Sequence, residues 1–431
     1  MFADRAAHVT SPARELSLDC LAAGIEAARP ERAVERQCAV RNGTLRVRDA
    51  DYDLSAYEEV LVVGGGKAAD GLAAALADRL DPDDGVVVTG ARTADPDSVA
   101  VRLGEHPTPG EGSIAGAEAV LAAVEAAGEE TLVVAAITGG GSALLCAPAG
   151  GLAANDLAAA TADLLAAGAP VEAVNRVRRA CSSLKGGGLA AAAAPATVVG
   201  IVVSDVVGDD PGVVASGPTV PRQIDPEAAL AVLDRCDVRA AAVREHLEAA
   251  TPEPAPAVDA ETHVVAGAAD AIEAAAAVAA DRGYEPCRLS TRIEGEAREA
   301  GRLHAAVAAE VAAAGHPVEP PAVLLSGGET TVTVDGDGDG AGGPNQEFAV
   351  GAGLALPSEA AVVGAIDTDG RDGSTDAAGA LVGSLDDAAA RAARAALAEN
   401  DCHGFLGERD ALLRSGSTGT NVNDLRVIVV D

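Results

Sequence analysis

The chain has 431 residues, 48% of them hydrophobic, with 31 Lys and Arg against 66 Asp and Glu for a net charge of −35. The apolar content excludes disorder from low hydrophobicity, and the length allows two or three domains with full cores. The acid excess argues against nucleic acid and anionic membrane surfaces as partners, since both are polyanions, and fits a solvated coat in a high-salt cytoplasm.

The opening stretch, MFADRAAHVTSPARELSLDC, carries charges and lacks an apolar core, so it does not read as a secretion signal. No uninterrupted apolar run reaches membrane-spanning length. The cysteines, Cys20, Cys38, Cys146, Cys181, Cys236, Cys287 and Cys402, form no CxxC pair and are odd in number. They read as thiols in a reducing, cytoplasmic compartment.

The first β-branched run, residues 60–63, leads into GGGKAAD, with Gly64, Gly65, Gly66 and Lys67. Glycine amides at a strand-to-helix turn suit an anion, and Lys67 adds a charge beside them. The chain has only two lysines, Lys67 and Lys185, against 29 arginines, and both lie in glycine-rich turns. No Ser or Thr follows Lys67, so this is not a Walker A loop. Gly64, Gly66 and Ala69 match G-x-G-x-x-A, but the next strand ends in Thr89 and Gly90 without the carboxylate a dinucleotide site expects.

His106, in EHPTPGEGS, reads equally as a substrate contact or a structural residue. The run 132–138 ends in TGGGSALLC, where Gly139, Gly140, Gly141 and Ser142 repeat the anion-binding design. Ser142 reads equally as a helix cap or a ligand contact. NRVRRACSSLKGGG, residues 175–188, gathers positive charge near Lys185 and favours an anionic ligand. The run 198–204 ends at Ser204 and is followed by Asp205, Asp209 and Asp210 in SDVVGDDP. Carboxylates at a strand tip suit Mg²⁺ or general-base work.

TPEPAPAVD at 251–259 is the candidate linker, and a new strand is expected at 263–265 to open the second domain. Beyond it come a strand at 323–326 with Gly327, Gly328 and Glu329, then DGDGDG at 335–340, read as a solvated turn. GGPNQE follows with Asn345. A strand at 362–366 leads to Asp367, Asp369, Arg371, Asp372 and Asp376, and TGTNVNDLR carries Asn421 and Asn423. Strands alternating with alanine-rich helices predict an α/β protein with parallel sheets, and glycine clusters at the strand ends predict ligands there.

These motifs, from GGGKAAD to TGTNVNDLR, resemble the glycerate 2-kinase family with its C-terminal MOFRL domain, over about residues 20 to 430. The resemblance implies a Rossmann-like domain at 1–250, a Pro-rich linker at 251–260 and a smaller MOFRL-type α/β domain at 261–431. The active site would lie in the cleft between the domains. The implied activity is ATP- and Mg²⁺-dependent phosphorylation of D-glycerate at the 2-hydroxyl. The rivals are an NAD(P)H-dependent hydroxypyruvate reductase and a non-catalytic metabolite-binding protein. By this resemblance Lys67 is catalytic, and Asp205 and Asp209 bind Mg²⁺ or orient the glycerate hydroxyl, with Asp369 facing them. Ser204, Gly139, Gly140, Gly141, Ser142 and Lys185 would line one side; Glu329, Asn345, Asn421 and Asn423 the other.

The pattern departs from the family at Pro344, where GGRNQE has an arginine, at Gly188 in place of the arginine of KGGRLA, and at Arg179 and Ala180, where Lys-His is common. Arg371 is expected to supply the charge missing at Pro344. Soluble oligomers are most often two-fold dimers, so a homodimer is the expected assembly.

Overall fold

The computed structural model describes every residue except 253, 335–339 and 357–360. Most of the expected DGDGDG turn, and residue 253 of the Pro-rich stretch, lie outside the described residues. The chain forms two compact units, Pro30–Val265 and a second built from Met1–Arg29 with Ala266–Asp431.

The first unit begins with a small antiparallel sheet, β1 (Cys38–Arg41), β2 (Thr44–Val47) and β3 (Ala50–Asp53). Its main sheet contains β4 (Glu59–Gly65), β5 (Asp84–Thr89), β6 (Ala100–Leu103), β7 (Thr131–Thr138), β8 (Thr197–Val203) and β9 (Ala260–Ala266), in the order β6-β5-β4-β7-β8-β9. Strands β4 to β8 run parallel, as expected. Every residue of β7 is buried, which is why its sequence, TLVVAAIT, is apolar without alternation. Small side chains let helices pack closely on the sheet: Gly116 in the helix Glu111–Glu125 has room for no Cβ, which would lie 2.7 Å from Val88. A second apolar cluster, including Leu157, Leu164, Val177, Val232 and Leu247, joins the helices between β7 and β9.

The second unit holds β10 (Glu285–Glu296), β11 (Ala322–Thr331), β12 (Ala361–Asp367), β13 (Gly379–Gly383), β14 (Leu412–Leu413) and β15 (Asp424–Val430), in the order β10-β11-β15-β12-β13-β14. Only β10 and β11 are a parallel pair; the other neighbours are antiparallel. The expectation of parallel pairing fails here because β15, the last strand, inserts antiparallel between β11 and β12, and β13 and β14 each pair antiparallel with the strand before them in the sheet.

Two boundaries differ from the sequence reading. The strand after the Pro-rich stretch exists, but as β9 it pairs with β8 and completes the first sheet, so the units divide at Val265 rather than at 251–260. The helix Pro12–Ala28, assigned to the first domain, buries Leu16, Leu21 and Ile25 in the second unit. A Cβ on Gly364 of β12 would lie 2.8 Å from Leu21 Cδ1, and one on Gly24 would lie 2.3 Å from Leu425 Cδ2. Thr420 Oγ1 also donates to Ala28 O at 2.5 Å. That helix replaces the cover a crossover helix would give the sheet.

Candidate functional site

At the carboxyl ends of parallel strands, backbone amides are left without ladder partners and can receive ligands. In the first unit β4 ends at Gly65, and the chain turns through Gly66 and Lys67 into the helix Ala69–Leu80. Both neighbouring strands brace this turn. Lys67 N donates to Gly139 O at 2.7 Å, Ala68 N to Thr138 Oγ1 at 3.1 Å, and Thr89 Oγ1 to Lys67 O at 3.2 Å. Gly66 has φ +146°, and a Cβ there would lie 2.1 Å from Thr138 Oγ1, so the approach of the two strand ends requires glycine.

Strand β7 ends at Thr138, and Gly139 and Gly140 lead from it into the one-turn helix Gly141–Leu144. A Cβ on Gly140 would meet Lys67 Cγ at 2.9 Å and His106 Cδ2 at 3.2 Å, while one on Gly139 would lie 2.0 Å from Asp205 Oδ2. Three loops therefore bring Lys67, His106 and Asp205 together over two adjacent glycines. This sets a lysine stem, an imidazole and a carboxylate against bare backbone, residue types that can hold an anion and handle a proton.

Several expected contributors have other work. The cap of the short helix is Gly140, not Ser142, whose Oγ is hydrogen-bonded to Ser216 Oγ at 2.8 Å. Ser204 is buried and closes a turn, accepting from Val206 N at 3.3 Å. Lys185 does not line an open surface. It is buried, Nζ donates to Leu145 O at 2.9 Å, and burial lowers its pKa to about 8. It acts behind the glycine loop, on the carbonyl that ends the 141–144 turn. Asp209 takes φ +56° in the loop that follows Asp205, whereas Asp210 is bound by Arg222 Nη2 at 2.6 Å.

The second unit holds a buried acidic cluster. Asp367 ends β12, and its carboxyl is raised well above the usual range by burial and by Asp369 and Asp424 nearby. Asp369 N donates to Asp367 Oδ1 at 3.0 Å. Asn345 lies inside this network: Nδ2 donates to Asp424 Oδ1 at 2.6 Å and to Asp372 Oδ1 at 3.2 Å. Asp372 accepts from the amides of Asn345 and Gln346, both at 2.9 Å, and so caps the helix Pro344–Gly353. Burial raises the Asp372 carboxyl to about 6. Buried Arg426 donates to Asp424 and, at 2.9 Å, to Thr330 Oγ1.

Gly327 and Gly328 lie within β11 rather than in a loop; Gly328 has φ +137°, and a Cβ would lie 2.2 Å from Ile293 O. Glu329 is exposed at the same strand end. Asn421 Oδ1 accepts from Asn423 N at 3.0 Å, and Asn423 O accepts from Thr368 Oγ1 at 2.7 Å, so these asparagines brace the loop that precedes β15. Arg371 is exposed, with its amide donating to Asp369 Oδ1 at 2.8 Å. Asp424 and Arg426, central here, were not singled out by sequence because they read as part of the strand.

A parallel α/β unit whose strand-tip glycines carry a lysine and a carboxylate belongs to the class of proteins that handle small anionic metabolites. Residues 16–248 match a domain of unknown function, DUF4147, and residues 322–424 match the MOFRL family. The chain belongs to the family that these two domains define. A protein of Pyrococcus horikoshii named glycerate 2-kinase is 36% identical over 97% of each chain. A putative hydroxypyruvate reductase of Agrobacterium vitis is 42% identical, covering 86% of this chain and 87% of its own. The crystal structure of a glycerate kinase from Thermotoga maritima superposes with a TM-score of 0.84 at 33% identity, covering 97% of this chain and 99% of that one.

Proposed function

We propose that the chain transfers the terminal phosphoryl group of ATP to the 2-hydroxyl of D-glycerate, giving 2-phosphoglycerate and ADP. The observation that carries this reading is the gathering of Lys67, His106 and Asp205 over Gly139 and Gly140. Phosphoryl transfer needs positioning and charge neutralisation more than covalent chemistry. Glycine amides can approach phosphate oxygens closely, and the Lys67 ammonium opposes the charge that spreads over the transferring group. The Asp205 carboxylate orients the attacking hydroxyl and can take its proton, and His106 packs beside the lysine stem.

Mg²⁺ fits this donor set. Asp205 and Asp209 offer oxygen ligands from one loop, and Mg²⁺ commonly binds through one or two carboxylates together with substrate phosphates. Among the described residues no group of three His, Cys, Asp or Glu forms a cage, so the phosphates would complete the shell. When bound, Mg²⁺ would neutralise charge on those phosphates.

Arg371 supplies the cation absent at Pro344. Proline is tolerated at the first position of the helix Pro344–Gly353, where no intrahelical donor is needed. A Cβ on Gly343 would lie 2.3 Å from Asp372 Cγ, so the residue next to Asp372, Arg371, starts close to that helix end.

The seven free cysteines and the acid excess support a reducing, salt-rich cytoplasm, and a homodimer is the expected assembly. A second reading, NAD(P)H-dependent reduction of hydroxypyruvate, draws on the names of the Agrobacterium relatives and on G-x-G-x-x-A. Strand packing already accounts for two of its positions: a Cβ on Gly64 would lie 2.0 Å from Ala136 O, and Gly66 is crowded by Thr138. The test supplies ATP, Mg²⁺ and D-glycerate in high KCl and couples the product to enolase, which accepts a 2-phosphate directly. NAD(P)H oxidation with hydroxypyruvate and no ATP consumption would establish the reductase instead. Silence in both assays would favour a binding protein.

A further inference from the structure

The arginine-rich segment read from the sequence contributes to a cavity that the strand-tip cluster does not use. Arg176 and Arg179 are three residues apart on the helix Val171–Ala180, which puts them on one face. With Arg222, Gln223 and Asp225 they line a cavity of about 340 Å³ in the first unit. Arg222 is held over it from the far side: its amide donates to Gly186 O at 3.1 Å, and its guanidinium pairs with Asp210. The helix Pro226–Arg235 opens onto the same cavity, with Asp225 capping it through Ala228 N at 2.9 Å.

The charge in this cavity runs against the chain total. Three of the 29 arginines converge on it in a protein with net charge −35. Asp210 answers Arg222 and Asp225 caps its helix, while among the described residues neither Arg176 nor Arg179 is in an ion pair. Arg179 is half-buried, and its pKa is lowered first by that burial and then by Arg222 and Arg176, with the Asp210 carboxylate opposing the shift. Three guanidinium groups against the carboxylates of Asp210 and Asp225 leave positive charge in excess, and planar guanidinium forks match phosphate oxygens.

We propose that Arg176, Arg179 and Arg222 form a second anion site, separate from the strand-tip cluster, that takes a small phosphate-bearing compound. The volume admits a phosphate with a short carbon chain. Arg222 also links this site to the acidic loop. Its partner Asp210 adjoins Asp209, so a ligand that engages Arg222 competes with Asp210 and alters the loop bearing Asp209.

The test is calorimetric titration of inorganic phosphate into the full chain carrying Lys67→Ala, at constant ionic strength, so that binding at the strand tips is weakened and catalysis plays no part. Saturable binding is expected, and adding Arg179→Gln should weaken it roughly tenfold or more, the loss expected for one charged hydrogen-bonding partner. Arg176→Gln, at an exposed position, provides a second variant whose fold is checked by near-ultraviolet circular dichroism. A three-carbon phosphate monoester is titrated in parallel; tighter binding than phosphate identifies an organic phosphate as the occupant, and equal binding identifies the free ion. Absence of saturable binding, or affinity unchanged by both arginine substitutions, would overturn the site. Neither result depends on whether glycerate is the substrate.

Discussion

Lys67 is one of two lysines among 31 basic residues, and its stem crosses Gly140 beside His106. A compact ammonium on a flexible stem can follow a moving phosphoryl group, whereas a guanidinium imposes a planar geometry. Lys67→Ala should therefore lower kcat by about a hundredfold or more, the usual cost of removing one transition-state donor, while leaving the thermal transition in place. Lys67→Arg should recover only part of that loss; full recovery in the coupled assay would mean that charge alone suffices. Arg371 is exposed beside the buried acidic cluster, and Arg371→Ala should lower kcat by about tenfold if its cation meets the phosphoryl group. Wild-type turnover in that variant would remove Arg371 from the mechanism.

Among the elements, the short helix Gly141–Leu144 depends on Lys185, whose buried ammonium holds Leu145 O. Burial lowers the Lys185 pKa from its ordinary 10.5 to about 8. Between those values the unfolded chain binds more protons than the folded chain, so this residue adds stability as the pH rises through the window. Below pH 8 the charged form is buried in full, and the cost is constant. Relative to Lys185→Met, the wild-type chain should gain on the order of 3 kcal/mol between pH 8 and 10.5. Urea denaturation of both chains across that range checks this, and a pH-independent difference would show that Lys185 does not titrate there. The helix Pro344–Gly353 likewise depends on Asp372, which receives two of its first amides. Asp372→Ala should cost about 2 kcal/mol in the same experiment.

The strand-tip loops were legible because a glycine cluster directly after an apolar run strips side chains from the place where a parallel sheet exposes its amides, and Lys67 stood out by rarity. Lys185 stood out equally, yet sequence could not distinguish a lysine beside a ligand from one buried beneath the loop. Asp424 was hidden because a carboxylate at the start of a strand resembles any polar strand end; its importance comes from Asn345 and Arg426, which reach it across the folded sheet. The antiparallel order of the second sheet was also illegible, since β15 carries no mark of the strands it separates.

For the whole molecule, a net charge of −35 makes self-repulsion a cost of compactness, and counterions reduce it. The midpoint of thermal unfolding should rise from about 0.1 M to about 2 M KCl, with most of the gain where the Debye length shrinks below the spacing of surface charges. The chain path sets a different condition. The second unit recruits the helix Pro12–Ala28, so its sheet is incomplete until residues far apart in sequence meet. Leu16, Leu18, Leu21 and Ile25 are all fully buried or nearly so. Burial of four such side chains contributes on the order of 6–12 kcal/mol, comparable with the whole stability of a domain. A chain beginning at Pro30 should therefore keep the first unit, whose cores lie within Pro30–Val265, and lose the second. Limited proteolysis with mass spectrometry distinguishes the two: fragments should come from 266–431 while 30–265 stays protected. Protection of both segments would mean that the second sheet closes without its helix and that the terminal segment is dispensable to the fold.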